Sequence, residues 1–121
     1  MTQENTLRVL SSFLYARSLV PEDMSTKDIL AKAELVRSSV QYLIVLLECS
    51  DDDEPEETLQ SVFFEAGKLH FEKELRWWFE VLYNMLMKKK EGPRLGLLAK
   101  LLTIHWVIDN LNTVMNDPWI I

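Results

Sequence analysis

Ile29, Ala33, Val36, Val40, Leu43 and Leu47 recur at alternating spacings of four and three. That rhythm lays a continuous apolar seam along one side of a long helix, and the seam must pack against other helices. Ser25 stands before it with Asp28 three residues on, a capping-box pattern with Asp in the usual Glu position. The spacing predicts a helix over 26–49. Val40, Ile44 and Val45 are β-branched and suit a strand locally, but a strand's period of two does not produce the seam. Three glycines and four prolines in 121 residues are too few turn formers for a β-sandwich. The expected fold class is all-α, a compact bundle of about five helices.

The other helices follow from the same signals. Leu7, Leu10 and Leu14, with Val9, Phe13 and Ala16 beside them, predict a helix over 5–19, ended by the Pro21 restriction on Val20. Leu59, Val62, Phe63 and Ala66 predict a short helix over 55–67, opened by Pro55 with Glu56 and Glu57 at its positive end and stopped or kinked at Gly67. Phe71, Leu75, Trp78, Leu82 and Met85 predict a helix over 69–90. Its negative end would be complemented by Lys88, Lys89 and Lys90, and Gly92-Pro93 follows as a breaker. From Leu95 to Leu111 almost no polar side remains before Asp109. This pattern predicts a central apolar C-terminal helix over 94–116, surrounded by the others and ended by Asp117-Pro118. No repeat or linker divides the chain, so residues 1–121 are read as one helical domain.

Charge is distributed unevenly. The formal net charge is −6, and Glu48 to Glu57 holds seven acids and no base, leaving twelve acids against thirteen bases elsewhere. Residues 50–54 are expected to be a solvated acidic loop. Overall acidity disfavours nucleic acid, whose phosphates need Lys and Arg. A lone cysteine, Cys49, cannot form an internal disulfide. Met1 to Asn5 lack the basic and apolar features of an export signal, and the longest uncharged run, Ser38 to Leu47, is too short to span a bilayer. An intracellular protein, cytoplasmic or nuclear and without membrane association, is the expectation.

Catalytic signals are lacking. His70 with Glu74, and His105 with Asp109, have the spacing that places two ligands on one helix face, yet a zinc site needs a third protein ligand. Cys49 has acidic neighbours, which disfavour its thiolate. No Gly-rich phosphate loop, Gly-x-Ser-x-Gly or Cys-x-x-Cys occurs. The chain is read as a non-enzyme without cofactor or metal.

What remains is surface recognition. Arg76-Trp77-Trp78-Phe79 places consecutive aromatics about 100° apart around a helix, too wide a spread for one core. Trp78 and Phe79 are assigned inward. Trp77, with Arg76, Tyr83 and Met87, is assigned to a partner-binding face, because aromatics, Met and Arg are enriched at interface cores. Trp119, Ile120 and Ile121 form an apolar tail that either closes the bundle or docks on a partner. The resulting expectation is a protein–protein interaction module, such as an adaptor, regulatory subunit or inhibitor, that binds a helical partner or itself. The alternative is a nucleic-acid-associated or nucleic-acid-mimicking regulator, which would use the basic Lys88–Arg94 segment or the acidic Glu48–Glu57 segment.

Overall fold

The computed structural model describes residues 3–116, and the fold within them is all-α with six helices and no strand. They are α1 (Gln3–Ala16), α2 (Thr26–Glu48), α3 (Glu56–Phe71), α4 (Leu75–Met87), α5 (Leu95–Leu102) and α6 (Ile104–Asn116). The heptad row of α2 is the spine: all six of its residues are buried. Around it α1, α3 and α6 pack on α2, α4 and α5 pack on α3, and α6 also touches α1, α4 and α5. The capping reading holds, since the Ser25 hydroxyl accepts the Asp28 N–H at 3.1 Å. Among the described residues no helix is long and apolar enough to cross a membrane.

Several boundaries differ from those the sequence suggests, each for a local reason. Helix α1 stops at Ala16, before Pro21 can act, because Ser18 adopts φ 57°. The Ser18 N–H then donates to Tyr15 O (3.1 Å) and the Leu19 N–H to Leu14 O (2.9 Å), which is the Schellman arrangement with Ser where Gly is usual. Leu14 and Leu19 are both buried behind it.

Gly67 does not break α3, which continues to Phe71. Its role is steric: a Cβ there would lie 2.4 Å from Trp78 Cδ1, so the missing side chain makes room for the indole of α4. Trp78 Nε1 donates to Phe63 O at 3.0 Å, and its ring stacks on Phe71 at 5.6 Å. The chain turns over Glu72 to Glu74 instead, and α4 is correspondingly shorter. It ends at Met87 because Lys88 takes φ 57°, its N–H bonded to Asn84 O.

The expected single helix over 94–116 is two helices. Thr103, with φ 82° and ψ 153°, breaks it and turns α6 away from α5. The corner is tied to the acidic segment: Asp52 Oδ1 accepts the Ile104 N–H at 2.9 Å, and Lys100 Nζ donates to Asp52 O at 2.8 Å. The Thr103 hydroxyl accepts the Trp106 N–H at 3.2 Å. Part of the predicted solvated loop is therefore a cap for α6, placing negative charge at its positive end. The break also changes which leucines are inside. In α6 Ile104, Val107, Leu111, Val114 and Met115 are buried while His105, Asp109 and Asn112 are exposed, so this helix has a polar side after all. In α5 Leu97, Leu101 and Leu102 face outward, Leu101 at 69% exposure.

The Thr103 backbone lies close to a region that side chains other than glycine avoid, at a cost of order 1–3 kcal/mol. Replacing Thr by Gly at an N-terminal cap costs only a few tenths. Thr103→Gly is therefore expected to stabilise the fold by about 1 kcal/mol, read as a higher urea midpoint with unchanged slope. A lower midpoint would show that the corner is not strained.

Candidate functional site

Helix α4 carries the residues that the sequence singles out, and its three consecutive aromatics go to different neighbours. Trp78 is fully buried against α3. Phe79 meets Phe64 of α3 edge-on at 4.8 Å. Trp77, expected to be a partner anchor, is instead half-buried within its own chain. Its Nε1 donates to Leu19 O at 2.7 Å, and Lys32 Nζ of α2 lies 4.4 Å from the ring centre. Lys32 also pairs with Glu74 at 3.1 Å, at the start of α4. Trp77 thus clamps α4 to the α1–α2 connection. Leu19 and Lys32, remote in sequence, supply a carbonyl and a cation that helical periodicity cannot reveal.

The other α4 candidates do converge. Arg76 is exposed, and Tyr83 and Met87 are half-buried. After α4 the chain folds back: Tyr83 Oη donates to Pro93 O at 2.9 Å. Gly92 lies so near Met87 that a Cβ would sit 2.9 Å from Sδ. Burial raises the Tyr83 phenol above its ordinary range, with the Arg94 charge opposing and Glu91 reinforcing, so the hydroxyl stays protonated and donates. Between the returning turn and α4 is a cleft of about 160 Å³ lined by Arg76, Phe79, Glu80, Tyr83, Lys90 and Glu91. It brings together Arg76 and Tyr83 from the predicted partner-binding set and Lys90 from the predicted basic segment.

That basic segment is narrower than its sequence. Arg94 pairs with Glu56 at 3.3 Å, leaving Lys88, Lys89 and Lys90 exposed with no ion pair to a described residue. The acidic segment is likewise partly engaged. Asp52 caps α6, Glu54 Oε1 accepts the Asp51 N–H at 2.9 Å, and Glu56 holds Arg94. Trp119, Ile120 and Ile121, with Asp117-Pro118, lie outside the described residues.

The histidine pairs separate in behaviour. His70 and Glu74 fall on either side of the α3–α4 turn, so they share no helix face: His70 Nε2 meets Ser38 Oγ at 3.0 Å while Glu74 holds Lys32. His105 Nε2 does reach Asp109 Oδ2, at 3.1 Å, on the exposed side of α6. Among the described residues no group of three or more His, Cys, Asp or Glu side chains is placed to hold a metal ion. The exposed α5 leucines were not among the sequence candidates. Their only warning was Thr103, a cap-type residue in an otherwise apolar run.

With the class of the fold and this geometry established, the chain can be set beside known proteins. No family model matches it, and no solved structure matches it. Partial similarity is found to lysine–tRNA ligases. The sequence is 35% identical over 66 residues to that of Roseobacter denitrificans, covering 54% of this chain and 12% of the ligase. It is 31% identical over 75 residues to that of Rickettsia prowazekii, covering 62% of this chain and 14% of the ligase. For Rickettsia felis the figures are 32% over 75 residues, with the same coverage. The chain therefore matches only about one seventh or less of these relatives' length.

Proposed function

We propose that this chain is a non-catalytic RNA-binding module that holds phosphates on the turn after α4. The observation that carries the reading is the exposed Lys88-Lys89-Lys90 turn, whose ammonium groups form no ion pair with a described residue. The left-handed Lys88 ends the helix, so the three ammonium groups project from irregular chain rather than lying at fixed helical angles. Supporting it, the similar proteins are ligases of tRNA. This order reverses the one composition suggests. A net charge of −6 weakens long-range attraction, so binding must be local and modest, made by the exposed lysine turn itself.

The salt dependence gives a quantitative test. Three single-strand phosphate contacts imply a slope of about −2 in log K against log salt, hence about twentyfold weaker binding between 50 and 200 mM salt. Fluorescence anisotropy with a labelled single-stranded RNA should show that slope. The triple variant Lys88→Gln/Lys89→Gln/Lys90→Gln should bring it close to zero without loss of helicity. An unchanged slope in the triple variant refutes the assignment.

A second reading, docking on a protein partner, rests on a different surface from the one the sequence indicated. Leu97, Leu101 and Leu102 expose apolar side chains on α5, and neighbouring turns of a helix suit helix-to-helix recognition. Concentration-dependent sedimentation that Leu101→Lys abolishes would favour self-association through α5 over the RNA reading.

A further inference from the structure

Resting on the RNA reading above, we propose that the cleft between α4 and the Lys90–Glu91 turn is a subsite for one unstacked base of single-stranded RNA. Arg76, Phe79, Glu80 and Tyr83 are spaced to lie on one side of α4 over two turns, about 10 Å of helix, and all four line the cleft. Phe79 and Tyr83 supply ring surface on which a base can stack, and Arg76 supplies a planar cation that stacks equally well. The Tyr83 ring is already oriented, since its hydroxyl is bonded to Pro93 O and its edge lies against Gly92. Little ordering is then left to be done on binding.

The charges around the cleft decide which part of a nucleotide enters. Glu80 and Glu91 repel a phosphate but can accept N–H groups from a base edge. Lys90 lines the cleft and is continuous in sequence with the exposed Lys88 and Lys89. The neutral base is favoured within and the anionic backbone on the lysine turn. Within the cleft Glu80 and Glu91 offset the charges of Arg76 and Lys90, so a small anion or an acidic peptide gains little there. A paired base cannot present its face, so the site takes single strands.

The test compares two labelled twelve-nucleotide RNAs with equal phosphate charge, one carrying bases and one abasic throughout, on the full chain. Stacking of one base is worth about tenfold in affinity, so the base-bearing strand should bind about that much tighter. Arg76→Ala and Tyr83→Leu should each shrink the difference between the two strands. A 2-aminopurine reporter in the strand should be quenched by the wild type and less so by either variant; Arg76 is exposed, so its variant remains informative should Tyr83→Leu unfold. Equal affinity for the two strands would overturn the subsite and leave the phosphate reading intact. A preference that survives in Arg76→Ala and in a folded Tyr83→Leu would place the stacking elsewhere and also overturn it. Salt-insensitive binding, or none, of either strand would remove both proposals.

Discussion

Trp78→Ala is expected to cost the fold about 4 kcal/mol. Trp78 is completely buried, donates to Phe63 O and stacks on Phe71. Gly67 leaves a recess shaped to its indole. Truncation removes the packing, leaves a cavity that α3 cannot easily collapse into, and loses an aromatic pair worth about 1 kcal/mol of that total. Small domains have only 5–15 kcal/mol of stability in all, so a thermal midpoint lower by about 15 °C is expected. Trp77→Ala provides the contrast. The sequence alone suggests that it weakens association and spares the fold. With its indole bonded to Leu19 O and covered by Lys32, it should instead lower folding stability, by about 2 kcal/mol. Urea unfolding of the two variants checks both values, and a Trp77→Ala protein of wild-type stability would show that the clamp contributes nothing.

Gly96→Ala should destabilise by about 3 kcal/mol, against the sign that helix propensity gives. In an exposed helix the same change gains about 1 kcal/mol. At Gly96, however, a Cβ would lie 2.6 Å from Glu56 O and 2.8 Å from Gln60 N. These are backbone atoms of the first turns of α3, and they cannot rotate away as a side-chain tip can. The Gly96 N–H also donates to the buried Gln60 Oε1 at 2.6 Å, so pushing α5 outward strands a buried acceptor as well. Loss of stability with unchanged helical content at low temperature is the expected result. A stabilised Gly96→Ala would mean that α5 does not pack this closely on α3.

The contrast between these sites shows what periodicity carries. The α2 seam was legible residue by residue, because a row at spacings of three and four has only one way to be buried. The Ser25 cap was legible because its chemistry is local. Gly67 and Gly96 were not: each marks a close approach of a helix remote in sequence, and a glycine in a helical pattern looks the same whether it breaks the helix or admits a neighbour. The Thr103 corner was hidden in a run of apolar residues. Its stabilising partner, Asp52, belongs to a segment that composition alone marks as solvated loop.

The candidate site was legible in part for similar reasons. Arg76, Tyr83 and Lys90 were each visible as residue types suited to recognition, and the cleft unites them. Arg94 was indistinguishable from Lys88 to Lys90 until Glu56 was found beside it. The intramolecular contacts of Trp77 were not legible, because an aromatic with a hydrogen-bonding edge suits an interface and a half-buried clamp equally well.

The measurement that bears most directly on the whole account is amide shift mapping of the intact chain during titration with a single-stranded RNA. Changes confined to residues 76–94, centred on Lys88 to Lys90 and the cleft, are predicted. Changes centred on Leu97 to Leu102, or the absence of any saturable change, would contradict it.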